Sequence, residues 1–237
     1  MTALAWLAPG QPFPPTDQAL DDPAGLLAAG ADLSVDTLLR AYRAGIFPWY
    51  SEGQPILWWS PDPRLVLFPE SFHGSRRLQR TLARDHWRYS LNRAFDAVVQ
   101  LCASTPRHGQ RGTWITPDMA RAYQRLHHAG QAHSLEIWQD DTLVGGIYGV
   151  RVGRVFFGES MFSLARDASK VAMATLCRLH GELQFDLLDC QVESAHLLSL
   201  GATTLPRTRF EQRLAILTRE DTPPWPVTRP APLPMNP

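Results

Sequence analysis

Residues 155–191 read VFFGESMFSLARDASKVAMATLCRLHGELQFDLLDCQ, and this stretch decides the fold. Residues 155–161 follow a turn and begin with Val and two Phe, which predicts a strand. The apolar residues within 167–180 recur with the 3.6-residue period of a helix, and Gly181 is suited to end it. Residues 185–191 form a second apolar, strand-like run. Because a helical crossover joins parallel strands of one sheet, the stretch predicts a parallel strand–helix–strand unit.

Two further strands precede this unit. Residues 133–138 alternate polar and apolar side chains, and Asp140-Asp141 marks a turn. Residues 143–150 continue as a second strand, and a turn at 152–154 leads into the third. Strands joined by such short turns form an antiparallel meander. Meander, helical crossover and splayed strands are the order of a Gcn5-related acetyltransferase-like domain, so we predict an α+β protein of this type.

Two helices are expected before the meander. Asn92 is placed to cap the first, whose apolar positions run from Phe95 to Cys102. Thr116 opens the second, with Pro117 at its first position and Gly130 as its stop. This part of the chain therefore contributes helices rather than strands.

The N-terminal part differs in composition from the rest of the chain. We interpret the first ten residues as an irregular arm. Ser34 is a suitable N-cap for a helix over 35–44, and the aromatic, Pro-rich residues 46–64 indicate a rigid loop surface with one short strand. We therefore predict a small N-terminal α/β domain (1–63), the acetyltransferase-like domain (64–221) and a disordered Pro-rich tail (222–237).

Composition limits the classes of function. The formal net charge is zero over 237 residues, which argues against a general polycation. We find no run of about 18 apolar residues and no basic segment before an apolar N-terminal stretch, so we expect neither a membrane span nor a secretory signal. The three cysteines are far apart, and the histidines are scattered along the chain, so we interpret them as structural rather than as metal ligands. We expect a cytoplasmic monomer with reduced thiols, no metal, no cofactor and no membrane contact.

Positive charge is concentrated in one block, Arg76, Arg77, Arg80 and Arg84, where three arginines recur at helical spacing. This block either neutralises phosphates or forms a solvated helix face, and the pattern alone favours neither. The chain has 22 arginines but one lysine, Lys170. A single retained lysine indicates a local need for a compact ammonium group.

Candidate site residues lie on the last two strands of the unit. Asp189 and Gln191 share one face, which indicates either a ligand site or a polar edge that satisfies a loop backbone. Spacing alone favours the polar edge. Glu159 shares a face with Met161 and either binds a cationic guest or pairs with Lys170, and the ion pair is the simpler reading.

Two loop tryptophans have two possible roles. Trp49 and Trp114 each lie beside turn-forming residues. Exposed loop tryptophans stack on nucleobases, whereas buried ones close the seam between domains. Filling a seam is the commoner role for such tryptophans, so sequence alone favours it.

Short motifs follow one another in a characteristic order between residues 15 and 215. They are Leu26-Leu27-Ala28, Asp32-Leu33-Ser34, the stretches 41–49 and 56–64, Thr113-Trp114-Ile115, 132–136, Val144-Gly145-Gly146, 158–163, Ala168-Ser169-Lys170, Asp189-Cys190-Gln191 and Ser199-Leu200-Gly201-Ala202. In this order the set resembles the leucyl/phenylalanyl-tRNA–protein transferase family.

The resemblance implies a function and a site. Such an enzyme moves Leu, Phe or Met from aminoacyl-tRNA to a protein N-terminus that begins with Arg or Lys, which marks that protein for degradation in bacteria. The implied amino-acid pocket consists of Ile147, Met161 and Leu176. The resemblance also places the terminal adenosine near Trp49 and Trp114. The implied catalytic residues are Asp189 and Gln191, to which we add Glu159, and the implied tRNA-backbone contacts are Arg76, Arg77, Arg80 and Arg84.

The implied reaction is aminolysis of an ester, for which we hypothesise three roles. Gln191 aligns the attacking amine, Asp189 orients Gln191, and Glu159 supplies negative potential for the acceptor's first side chain. Three other readings remain: an acetyl-CoA-dependent N-acetyltransferase, a nonenzymatic RNA-binding module, and another tRNA-dependent aminoacyl ligase. The acetyl-CoA reading is disfavoured, because residues 163–168 lack the glycines that cradle a pyrophosphate.

Overall fold

The computed structural model describes residues 4–106 and 114–234, so Thr113 of the tryptophan motif lies outside the described residues. The strands are β1 (Ala5–Leu7), β2 (Leu26–Gly30), β3 (Phe47–Pro48), β4 (Leu57–Trp59), β5 (Arg64–Leu67), β6 (Trp87–Leu91), β7 (Ala132–Gln139), β8 (Thr142–Val152), β9 (Val155–Ser163), β10 (Leu187–Gln191), β11 (Thr203–Leu205) and β12 (Ala231–Pro232). The helices are α1 (Val35–Arg43), α2 (Arg76–Leu82), α3 (Phe95–Ser104), α4 (Pro117–His128), α5 (Ala168–Arg178), α6 (Ala195–Leu198) and α7 (Arg207–Leu217).

A small sheet with the order β1-β2-β4-β3 carries the N-terminal part of the chain. The first residues are not an irregular arm, because β1 pairs in parallel with β2 through Ala5 and Ala28. Local composition did not reveal this strand because its partner lies more than twenty residues away. The predicted helix is confirmed as α1, since the Ser34 side chain accepts a hydrogen bond from the Thr37 N–H.

The larger sheet has the order β11-β5-β10-β9-β8-β7-β6-β12. The predicted antiparallel meander is confirmed in β7, β8 and β9. The crossover is also confirmed, because α5 leads into β10 and β10 pairs in parallel with β9. Gly145 lets α5 lie against β8, since a Cβ at this position would be 2.6 Å from the Ala168 Cβ.

Strands β9 and β10 separate after a short paired section. Only 155–157 of β9 pairs with 187–189 of β10, although β9 continues to Ser163. A bulge between Asp189 and Gln191 then turns β10 away, and Gln191 has a φ of 65°. The predicted splay is therefore present, and it opens a hollow between the two strands.

One hydrophobic core runs across the two sheets. Tyr42 of α1 lies 5.0 Å from the Phe157 ring of β9, between ring centroids, and both residues are fully buried. The chain passes from one sheet to the other between Trp59 and Arg64. The hydrophobic core continues from the N-terminal part into the rest of the chain. The domain boundary at residue 63 therefore stays a prediction.

Asn92 does not cap α3, and this part of the prediction is wrong. Ala94 occupies the cap position and makes no side-chain bond. Asn92 instead has a φ of 54°, accepts a hydrogen bond from the Ser134 N–H and donates one to the Trp225 carbonyl. The side-chain amide of Asn92 therefore links β7 to the C-terminal tail. No local sequence pattern predicts such a contact.

The prediction of a disordered tail is wrong for 222–234, the part that the structure describes. Trp225 is 5% exposed, and its ring stacks on Phe156 at a centroid distance of 4.8 Å. Its Nε1–H donates to the Leu183 carbonyl. Strand β12 pairs with β6 at the sheet edge, where proline is tolerated because an edge strand leaves its outer N–H groups unused. A single large aromatic anchor thus outweighs the disorder-prone composition.

Among the residues that the structure describes, no helix combines the length and apolar character that crossing a membrane requires.

The tail anchor leads to a stability prediction. We expect Trp225→Ala to lower the free energy of unfolding by about 3–5 kcal/mol, because it empties a packed aromatic site. Val227→Ala is the matched control, since Val227 is 74% exposed and its truncation should cost less than about 0.5 kcal/mol. Urea unfolding measures both. Equal stabilities of the two variants would mean that the tail does not contribute to the core.

Candidate active site

The hollow between β9 and β10 is a cavity of about 480 Å³. The two diverging strands supply one part of its wall, the 192–197 segment after β10 supplies another, and the N-terminal part of the chain closes it. Every predicted catalytic residue (Glu159, Asp189 and Gln191) lines it. Residues of both sheets therefore line the cavity, at the point where β9 and β10 separate.

One wall of the cavity is aromatic. Trp49 and Trp114 both line it, although they are 65 positions apart in sequence. Trp49 is 41% exposed, and its carbonyl accepts a hydrogen bond from the Trp59 Nε1–H at 2.6 Å. The Trp49 ring lies 5.6 Å from the Trp59 ring, between centroids, and its exposed side is suited to stacking.

The apolar floor contains two of the three predicted pocket residues. Ile147 and Met161 line the cavity and are paired across β8 and β9. Leu176 does not line it, because its side chain is fully buried in the core beneath the sheet. Met173, one helical turn earlier on α5, lines the cavity instead, together with Leu188.

Glu159 is the centre of a buried hydrogen-bond network. Its Oε1 accepts hydrogen bonds from the Tyr42 hydroxyl at 2.8 Å and from the Gln191 Nε2–H at 3.0 Å. Its Oε2 accepts a hydrogen bond from the Tyr123 hydroxyl. The simpler reading of an ion pair with Lys170 is wrong, because Lys170 lies 3.6 Å from Asp167 instead.

Burial, with a smaller contribution from the negative charge of Asp189, raises the pKa of Glu159 from 4.5 to about 7. The hydrogen bonds from Tyr123 and Tyr42 oppose this shift because they favour the carboxylate. The charge of Glu159 therefore changes near neutral pH, unlike that of an ordinary surface glutamate.

Asp189 forms a fully buried ion pair with Arg64. The Arg64 Nε and Nη2 atoms donate to the two carboxylate oxygens at 2.8 and 2.6 Å. The guanidinium also donates to the Gly45 carbonyl and lies 4.8 Å from each of the Phe47 and Phe210 ring centroids. Asp189 is therefore neutralised by a partner and held in a rigid site.

Asp189 acts on Gln191 through the backbone. Its Oδ1 accepts a hydrogen bond from the Gln191 N–H at 2.9 Å. This bond accompanies the positive φ of Gln191, which strand alternation does not predict. The Gln191 side chain then extends to Glu159. The predicted Asp189–Gln191 relation is thus present, but it fixes the backbone rather than the side-chain amide.

Sequence reasoning missed Arg64, Tyr42 and Tyr123 as site residues. An arginine at the start of the apolar run Leu65-Val66-Leu67 is a signal of a buried, paired cation. The tyrosines give no comparable signal, because their rings fit the apolar faces of α1 and α4 while only their hydroxyls reach Glu159.

Comparison with known proteins decides the family. The model of the leucyl/phenylalanyl-tRNA protein transferase matches residues 66–215, and the model of that protein's N-terminal domain matches residues 31–62. The chain belongs to the leucyl/phenylalanyl-tRNA–protein transferase family.

Curated relatives carry the same family name. The chain is 58% identical to the leucyl/phenylalanyl-tRNA–protein transferase of Methylococcus capsulatus, over 85% of each chain. It is 56% identical to that of Azotobacter vinelandii, over 85% of this chain and 89% of the relative. The relative from Aromatoleum aromaticum is 56% identical over 92% and 91%. A solved GCN5-related N-acetyltransferase from Kribbella flavida is 11% identical, with a TM-score of 0.36 over 70% of this chain and 58% of that chain.

Membership of the leucyl/phenylalanyl-tRNA–protein transferase family favours tRNA-dependent aminoacyl transfer over the acetyl-CoA and nonenzymatic readings. Cys190 is also among the residues that line the cavity. Burial and the charge of Asp189 raise the pKa of this thiol well above its usual range. Cys190 is therefore a neutral thiol at neutral pH, which is unsuited to nucleophilic catalysis.

The basic block of this transferase lies on and after α2. Arg76, Arg77 and Arg80 are exposed on the helix, whereas Arg84 follows its end at Leu82. Arg77 lies 3.8 Å from Asp167, the residue before α5. The block is accessible to a polyanion. Its helical row of arginines is shorter than the sequence spacing predicts, because α2 ends before Arg84.

The buried ion pair leads to a stability prediction. Arg64→Met leaves Asp189 buried without a counter-charge, so we expect it to lower the free energy of unfolding by about 3–5 kcal/mol. Arg154→Met is the matched control, because Arg154 makes a similar two-bond pair with Asp186 at 32% and 38% exposure. That loss should stay below about 1 kcal/mol. Urea unfolding at pH 7 compares them, and similar losses would contradict our reading of Arg64.

The raised pKa of Glu159 leads to a pH prediction. Above about pH 4.5 the unfolded chain loses this proton while the folded chain keeps it to about pH 7, so stability falls as pH rises through this window. Glu159→Gln removes the titration. We expect the stability of the variant relative to wild type to increase by about 2–3 kcal/mol from pH 4.5 to 8. A pH-independent difference in urea unfolding would disprove the buried titration.

Proposed function

We propose that this aminoacyltransferase binds the 3′ end of Leu-, Phe- or Met-tRNA in the cavity and transfers the amino acid to a protein N-terminus that begins with Arg or Lys. The product is thereby marked for degradation. One observation carries the proposal: the hollow between β9 and β10 combines two tryptophans, an apolar floor and the Gln191–Glu159 pair in a single cavity. These are the three environments that an esterified adenosine requires.

The apolar floor receives the amino-acid side chain. The family resemblance implies Ile147 and Met161 for this role, and both line the cavity. We assign Met173 in place of Leu176, because Met173 lines the cavity and Leu176 does not. Methionine side chains adapt to guests of different shape, which suits a pocket that takes Leu, Phe and Met. Because a methylene is worth only about 1–3 kcal/mol in such a pocket, exclusion of β-branched residues depends on the shape of the floor.

The aromatic wall receives the terminal adenosine. Trp49 and Trp114 both line the cavity beside the proposed reaction centre. Stacking on an indole is worth about 1–3 kcal/mol per base and tolerates any base. The exposed arginines Arg76, Arg77, Arg80 and Arg84 are the proposed contacts of the tRNA backbone.

The reaction is an aminolysis. A neutral α-amine attacks the ester carbonyl, the new C–N bond forms, and the C–O bond to the ribose breaks. The Gln191 Nε2–H donates to Glu159, so the side-chain oxygen Oε1 of Gln191 is placed to accept a hydrogen bond from an N–H of the attacking amine. The proton lost by the amine passes to the leaving ribose oxygen. Positioning supplies much of the rate, since the ester is already activated.

Glu159 and Asp189 have different roles in this proposal. Glu159 supplies negative potential for the acceptor's first Arg or Lys once its carboxylate ionises near pH 7. Asp189 is a positioning residue, because its charge is neutralised by Arg64 and its contact with Gln191 is to the backbone. We place the reaction in the cytoplasm, and we propose a monomer because residues of one chain form the whole cavity wall that the structure describes.

A direct assay tests the function. Purified protein receives radiolabelled Leu-tRNA and a peptide that begins with Arg, and a parallel reaction contains labelled acetyl-CoA in place of the tRNA. We expect label transfer only from the tRNA donor and only to peptides that begin with Arg or Lys. Acetyl transfer, or binding of the tRNA without transfer, would support one of the alternative functions instead.

The role of Gln191 leads to a kinetic prediction. We expect Gln191→Ala to lower the single-turnover rate about 100-fold, because the amine loses its alignment. The KM for Leu-tRNA should change little, since the tryptophans and the apolar floor remain. Gln212→Ala, an exposed site on α7, is the control. A near-normal rate for Gln191→Ala would remove Gln191 from the mechanism.

A further inference from the structure

Lys170, the single lysine of the chain, stands in the first turn of α5, three residues before Met173, which lines the cavity. Residues three apart are neighbours on a helix surface, so Lys170 and Met173 lie on the same side of α5. Lys170 is also close enough to His196, another residue of the cavity wall, for its charge to act on that ring. Its side chain is 37% exposed, which leaves the ammonium group accessible. The function described above gives this residue no role.

Two cations share one carboxylate beside this part of the cavity, whose wall also includes Glu193. Asp167 lies 3.6 Å from the Lys170 Nζ and 3.8 Å from the Arg77 guanidinium, so one carboxylate serves two cations. His196 lines the cavity nearby, and burial and the charge of Lys170 lower its pKa. His196 is therefore neutral at pH 7 and adds no positive charge beside Lys170.

Lys170 also continues the basic block towards the cavity. Arg77 belongs to α2, and its contact with Asp167 joins α2 to the start of α5. Exposed cations therefore extend from Arg80 and Arg76 through Arg77 to Lys170. A single-stranded polyanion that crosses this surface would enter the cavity at Lys170.

We propose that Lys170 binds a phosphate of the donor's 3′-terminal single strand, next to the adenosine that enters the cavity. This assignment rests on the proposed function. A lysine suits the position because a compact ammonium group offers three donors to phosphate oxygens while it remains in contact with Asp167. Arginine, the cation at every other basic position, carries a larger planar group.

Three leucyl esters test this assignment: leucyl-adenosine, which has no phosphate, the leucyl ester of the dinucleotide CpA, which has one, and Leu-tRNA. We expect Lys170→Met to raise the KM about tenfold for the CpA ester and for Leu-tRNA. For leucyl-adenosine the KM should stay within about twofold of wild type, and kcat should be unchanged for all three. The salt dependence of log KM for Leu-tRNA should become shallower by about 0.7.

Arg209→Met is the matched control, because Arg209 is an exposed cation on α7 outside the cavity wall. It should leave all three KM values unchanged. Unchanged KM values for Lys170→Met, or equal increases with all three esters, would overturn the phosphate contact, since equal increases indicate a structural role. Failure of the wild-type protein to transfer leucine from any ester would instead refute the proposed function.

Discussion

The buried ion pair between Arg64 and Asp189 ties the parts of the molecule together. Arg64 starts a strand of the large sheet, contacts Gly45 and Phe47 of the N-terminal part, and lies against Phe210 of the last helix. Its partner Asp189 holds the backbone of Gln191. The end of β10 that carries Gln191 is therefore positioned by contacts that link three distant segments.

Charge in this site is distributed over two carboxylates with unlike surroundings. Asp189 is matched by a guanidinium, whereas the groups that donate to Glu159 in the described part of the chain, Tyr42, Tyr123 and Gln191, are neutral. Burial raises the pKa of Glu159 to about 7, and the charges of Asp189 and Arg64 act on it in opposite directions. The two acids on neighbouring strands thus have different electrostatic surroundings because their direct partners differ.

Local signals in the sequence predicted much of the fold. The meander, the α5 crossover and the Ser34 and Thr116 caps depend on periodicity and on residues within one turn, so they were predicted correctly. Features that depend on distant partners were not. Arg64 and Asp189 are 125 positions apart, and the bulge between Asp189 and Gln191 interrupts the regular strand geometry that spacing assumes. The same limit explains why Met173, rather than Leu176, faces the cavity.

The packed C-terminal segment has a consequence for the integrity of the large sheet. Strand β12 joins β6, and Trp225 covers Phe156, so residues far apart in sequence complete one sheet edge and one aromatic layer. Cleavage of the chain before Trp225 would leave that edge unpaired and Phe156 uncovered. We expect such a species to be an early target for cellular proteases.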